Sequence, residues 1–165
     1  MLHLNVTSTL FRKFILQVLN AEKSREALES LISKFQPGWM VAEVRNPDVR
    51  KIAIELIRDK SWVLVHADTV LLTLVRNVSN NDDYIALHSL NPENIDPNDF
   101  LTSEPDLQAL QQLVMAELFR DLGLNSRSRQ MIEAAESVAG RYGVVQNALE
   151  KFKKPNAADC GTDSL

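Results

Sequence analysis

Apolar residues recur three and four apart at Leu10, Phe14, Ile15 and Val18, then at Leu28, Leu31, Ile32 and Phe35, so the spacing predicts helix over 8–35. The pattern thins between Asn20 and Ser24, where Ser24 can cap a second helix. Gln36-Pro37-Gly38 ends it, because proline disfavours helical geometry in the residue before it and glycine permits left-handed geometry. "WMVAEVR" (39–45) then reads as a short strand, rich in residues that suit a pleated surface. The next helix has the clearest local signal. Asn46 can cap it, Pro47 suits its first position and Asp48 its positive end, and Val49, Ile52, Ala53, Leu56 and Ile57 form one stripe.

Residues 60–77, "KSWVLVHADTVLLTLVRN", are the least polar part of the chain. "WVLVHA" and "TVLLTLV" are each of strand length and meet at Asp68-Thr69, and "YIALHSL" (84–90) is a further candidate strand. A buried helix over 61–77 is the rival reading, since a continuous apolar run does not separate the two by period. The Val and Thr content and the turn-rich "NVSNNDD" favour strands.

Beyond "NPENIDPNDF", Ser103 is expected to cap a helix with Asp106 completing a capping box. Leu107, Leu110, Val114 and Leu118 are its expected inner face, and Gly123 is placed to end it. A last helix, from about Ser126 to Lys153, carries a seam of Met131, Ala135, Val138, Tyr142, Val145, Leu149 and Phe152. From Pro155 the chain turns small and polar, as a disordered tail would. The expected fold is therefore α+β: N-terminal helices, a small, mainly antiparallel sheet of about four strands with one inserted helix, and a C-terminal helical hairpin. No linker divides it, so residues 1–154 are expected to form a single domain and 155–165 a tail.

Composition narrows the functional classes. The chain has 165 residues, a net charge of -4 and a pI near 5.4, so nothing global draws it to nucleic acid or to anionic lipid. Arg12 and Lys13 lie inside the opening apolar run, which does not read as a signal peptide, and no stretch is apolar enough for a membrane span. Cys160 is the single cysteine and excludes an intrachain disulfide. A soluble, cytoplasmic protein is expected.

Few residues carry chemistry. His66 and Asp68, two apart on a strand, would share a face and could orient a general base or supply part of a metal site. No nucleophile motif or further ligand spacing accompanies them, and the simpler reading is a strand end beside a turn. Asp82-Asp83 and Asp96 to Asp99 read as solvated turns. No phosphate-binding glycine loop follows a strand, so no cofactor and no metal is expected.

"MAELFRDLGLNSRSRQMIEAA" (115–135) has the outline helix, Gly123, turn, helix. Over this stretch it resembles the helix-turn-helix of response-regulator-type transcription factors and the end of phage small-terminase subunits. The resemblance implies DNA contact through Arg127 and Arg129 at the start of the second helix. It departs from the first family at Phe119, where a small residue lets the helices cross, and at Arg129, where an aliphatic residue anchors the second helix. An αα-hairpin closed by a glycine cap is the simpler alternative.

Three functional classes follow, in order of preference. The first is a non-enzymatic interaction module (adaptor, chaperone-like or regulatory factor) acting through the seam of the last helix on another protein or a second copy of itself. The second is a DNA-binding regulator or phage packaging-type protein using Arg127 and Arg129. The third is an enzyme or metal site around His66 and Asp68.

Overall fold

The structure, a computed structural model, describes residues 24–139 and 143–153. The helix expected over 8–23, Tyr142, Cys160 and the tail from Pro155 lie outside the described residues. The chain divides into two compact units, one ending at Ile95 and the other beginning at Asp96.

In the first unit, helix α1 (Arg25–Phe35) starts where the hydroxyl of Ser24 accepts the Ala27 N–H at 3.4 Å. The left-handed residue that ends it is Gln36, at φ 47°, rather than Gly38. Its side chain compensates locally: Nε2 donates to Ser33 O at 2.8 Å, and Oε1 accepts from Arg76 Nη1. Helix α2 (Pro47–Arg58) opens as the sequence predicts, with Asn46 Oδ1 accepting the N–H of Asp48 at 3.2 Å and of Val49 at 3.3 Å.

Strands β1 (Trp39–Glu43), β2 (Trp62–Ala67) and β3 (Leu71–Arg76) form one antiparallel sheet in the order β1-β3-β2. The stretch from 61 to 77 is thus a hairpin and not a buried helix. One face of the sheet carries Ala42, Leu64, Leu72 and Leu74, all buried, and α2 packs on the sheet with Ile52, Ala53 and Leu56 inward. Arg50 is buried as well, its Nη1 donating to Val44 O at 2.6 Å. In β2 the register slips between Leu64 and His66, leaving Val65 as an extra residue opposite β3.

Among the described residues the sheet has three strands, one fewer than expected. "YIALHSL" is not a strand: Asp82–His88 forms helix α3, entered through a 3₁₀ turn at Ser79–Asn81. Two carboxylates in its first turn suit the positive helix end, and the Tyr84 and His88 rings stack one turn apart at 4.2 Å. With Ile85 and Leu90 alone half-buried, five residues apart, the segment lacks the alternating apolar set that a sheet face needs.

The second unit is helical. Asp96 Oδ1 caps a 3₁₀ turn at Pro97–Asp99 through the Asn98 N–H at 2.9 Å. Helix α4 (Pro105–Asp121) has Glu104 at its cap position, with no side-chain bond, so the expected Ser103–Asp106 capping box does not form. Pro105 takes the first helical position, which moves the cap to the residue just before it. Of its expected inner face Leu118 is buried and Leu110 and Val114 are half-buried, whereas Leu107 is exposed and Ala109, Leu113 and Ala116 are buried as well. At the other end Gly123 stands at φ 85°, with its N–H on Arg120 O at 2.9 Å and the Leu124 N–H on Phe119 O at 2.7 Å. That pair of bonds closes the helix with a left-handed glycine cap.

Helix α5 (Asn125–Ala139) returns along α4, and helix α6 (Gly143–Lys153) touches both. Ala109 and Leu113 of α4, Ala135 of α5, and Val145 and Leu149 of α6 form one buried cluster. The single helix expected from 126 to 153 is therefore two packed segments. A straight helix of that length would run about 42 Å and carry Leu149 past the end of α4, which spans only about 26 Å. No helix among the described residues is long and apolar enough to cross a membrane.

Two consequences for stability follow. Replacing Leu72 or Leu74 with alanine should cost about 2–5 kcal/mol in urea unfolding followed by tryptophan fluorescence, whereas Leu87→Ala, at an 80% exposed position, should change it by less than about 0.5 kcal/mol. Gln112 is 7% exposed, and its Oε1 has no hydrogen-bond partner among the described residues. Gln112→Met should therefore stabilise the protein by about 1 kcal/mol, read as a raised unfolding midpoint by circular dichroism.

Candidate functional site

His66 and Asp68 do meet: His66 Nε2 lies 3.0 Å from Asp68 Oδ2. The other carboxylate oxygen accepts the N–H of Val70 at 2.6 Å and of Leu71 at 2.7 Å, while Asp68 N donates to Leu71 O at 3.0 Å. Asp68 thus organises the β2–β3 turn, and His66 closes over its outer oxygen. Partial burial pushes the Asp68 carboxyl up, but the His66 contact and the two N–H donors outweigh it and hold it below the usual carboxylate range. The His66 side chain is 50% exposed, near the end of β2. His88 is carried by helix α3 and stacks on Tyr84. Among the described residues no group of three His, Cys, Asp or Glu could hold a metal ion.

The seam proposed as a partner surface is placed differently. Ala135, Val145 and Leu149 are buried in the helical unit's own core, and Met131 is half-buried. Tyr142 and the side chains of Val138 and Phe152 lie outside the described residues. Of the two arginines, Arg127 lies over the Phe119 ring at 4.2 Å, and Arg129 is exposed. Ser128, between them, is buried with its hydroxyl on Ala116 O at 2.8 Å. The first turn of α5 therefore faces α4 and binds it as a hairpin does.

An apolar groove lies elsewhere. A groove of about 430 Å³ runs between α1, α2 and the outer edge of β1. Leu28, Leu31, Ile32 and Phe35 of α1 form one wall, and Val49, Ile52 and Ala53 of α2 form another. Phe35, Trp39 and Val41 remain 48%, 48% and 58% exposed. Arg25 fixes α1 against α2 through Asp59 and, at 3.8 Å, Glu55, while also bonding Glu29 at 2.8 Å. Glu29 first and Asp59 second raise the Arg25 pKa, so its guanidinium stays charged across the accessible pH range.

The backbone of β1 decides what this groove can hold. Val44 N donates to Val70 O at 2.8 Å and Arg76 N to Gly38 O at 3.0 Å, so even-numbered β1 residues are those bonded to β3. It follows that the N–H and C=O groups of Trp39, Val41 and Glu43 point away from β3, along the open edge. Among the described residues none of them meets a hydrogen-bonding partner. Sequence reasoning placed this strand but missed the site. Its signal was the cluster of large apolar residues around a helix-breaking proline: Phe35, Trp39 and Val41.

The turn makes one claim on acid stability. A lowered folded-state pKa contributes stability that is fully present above the unfolded value, near 3.9, and is lost as pH falls through the folded one. Acid titration of the unfolding free energy should therefore fall less steeply below about pH 4 in Asp68→Asn than in the native chain. Equal slopes would mean that the hairpin bonds do not favour the ionised carboxylate.

Comparison with protein-family models, with curated proteins and with solved structures finds no match to this chain.

Proposed function

We propose that the protein is a non-enzymatic interaction module that takes an extended segment of another protein as an added strand on the free edge of β1. The supporting observation is the coincidence of two features: three residues with outward-facing peptide groups, and an apolar groove running beside them. An edge with open N–H and C=O groups is a template for strand addition. Main-chain bonds give such a contact its affinity, and apolar side chains at every second position give it its preference. The surface moves from the C-terminal seam to the groove because the seam's Ala135, Val145 and Leu149 are already packed. The recognised chemistry is an extended segment with alternating apolar residues. Among the described residues the lining is almost wholly apolar, with Glu43 and Asn46 as its polar members.

Proline at Val41 separates the backbone contribution from the rest. The Val41 N–H points outward, so Val41→Pro removes a docking donor without breaking a bond to β3, and proline is tolerated at edge positions. Displayed random peptides selected on the native chain should converge on alternating apolar sequences. Val41→Pro should bind them at least about tenfold more weakly, a loss of about 1.4 kcal/mol, with an unchanged unfolding midpoint. Equal binding by the proline variant, or selection of helical apolar spacing, would overturn the reading.

A further inference from the structure

We infer that α1 is a hinged lid on the groove, pinned to the sheet at its C-terminal end and latched at its first residue by Arg25, and that the groove takes a strand when this latch opens. The inference rests on the strand-addition reading above and names what regulates access to the edge. Its first support is how little the body of α1 is packed. Ile32 is its only buried residue, Leu28 and Leu31 are half-buried, and Phe35 is 48% exposed. Apolar burial is what fixes a helix to its domain, and α2, by comparison, buries Ile52, Ala53, Ile54 and Leu56. Yet Leu28, Leu31, Ile32 and Phe35 are the wall that α1 gives to the groove, so any movement of α1 changes the width of the groove.

The second support is that both ends of α1 are held by parts that stay with the sheet. The chain leaves α1 through Gln36, left-handed at φ 47°, and then Pro37 and Gly38. This short connection is tied to β3: Arg76 N donates to Gly38 O at 3.0 Å, and Arg76 Nη1 donates to Gln36 Oε1. At the other end the catch is equally fixed. Asp59 Oδ1 accepts the Ser61 N–H at 2.9 Å, which leaves Oδ2 to Arg25 Nη2. Asn77 ties that turn to the sheet, its N–H donating to Ser61 O at 2.9 Å and its Nδ2 to Lys60 O at 2.9 Å. Only the Arg25 half of the latch travels with the helix. Eleven residues make a helix about 16 Å long, so a swing of about 15° at Gln36 carries Arg25 about 4 Å, enough to part it from Asp59.

Residue-resolved amide exchange in the full-length protein reads the lid without any peptide. A detached helix of this length is marginal in water, so each opening frees its backbone bonds to exchange. The amides of Leu31 to Phe35 should exchange as a group and at least about tenfold faster than those inside α2. Raising sodium chloride from about 0.05 to about 1 M should speed the α1 group by about three- to tenfold and leave α2 and β3 unchanged, because exposed ion pairs are weak and screened. Arg25→Gln should have the same effect at low salt. Asp59→Asn keeps an acceptor for Ser61 and should act like Arg25→Gln, and the two together should gain less than the product of the single changes. Peptides selected on the native chain should, once bound, slow α1 together with Val41 and Glu43. Exchange of α1 as slow as that of α2, or equal at both salt concentrations, would overturn the inference and leave the strand-addition reading standing. Single changes that simply multiply would overturn it as well, since Arg25 and Asp59 would then not form one latch. Protection of Val41 and Glu43 by peptide without protection of α1 would also overturn it, because the strand would then enter without engaging the lid. Failure of every peptide to protect the edge would instead overturn the strand-addition reading, and the lid's role with it.

Discussion

A peptide group removed from water has to find a hydrogen-bonding partner, and the three-stranded sheet meets that demand unevenly. β3 lies in the middle and is bonded on both sides, so its peptide groups are satisfied and Leu72, Leu74 and Val75 can be fully buried. Among the described residues, β1 is bonded on one side only. Its other side is left with ordered, parallel rows of donors and acceptors, and the two helices beside it frame those rows instead of covering them. The groove is what remains when a sheet of three strands is built around one central strand.

The helices hold that geometry in different ways. α2 is fixed by burial, with Ile52, Ala53 and Leu56 against the sheet and a capped start at Asn46. α1 has only Ile32 buried, and it is held at its first residue by the Arg25 contacts with Glu55 and Asp59. Exposed ion pairs contribute little individually, so α1 is the less firmly anchored wall. A groove with one rigid wall and one lightly tethered wall can admit side chains of different size without disturbing the sheet.

Where a local signal and a packed outcome coincide, the sequence was readable. Asn46-Pro47-Asp48 specifies a helix start without any tertiary help, and Gly123 specifies a stop. The hairpin from Trp62 to Arg76 was readable from its turn at Asp68-Thr69. The segment at 84–90 was not, because Tyr and Ile suit strands, whereas the two aspartates before them favour a helix start and no sheet face received them. The regular seam of the last helix was likewise ambiguous. Its spacing is equally consistent with one long helix and with two segments sharing a core, and only the position of Leu149 beside Leu113 separates them. The candidate site was hidden for a different reason. An open strand edge is defined by which neighbour is absent, and periodicity carries no record of strand order.

The extra residue at Val65 changes what the spacing of His66 and Asp68 means. In a regular ladder the side after Leu64 would alternate without interruption, which would turn His66 inward beside the leucines of β3 and Ala67 out to solvent. The slip reverses that order: Ala67 is buried at 1% exposure and His66 faces water. A single unpaired residue thus keeps an ionisable ring out of an apolar interior. Beyond the slip the alternation resumes, so His66 and Asp68 lie on the same side of the chain, opposite buried Ala67, and the ring reaches its aspartate there.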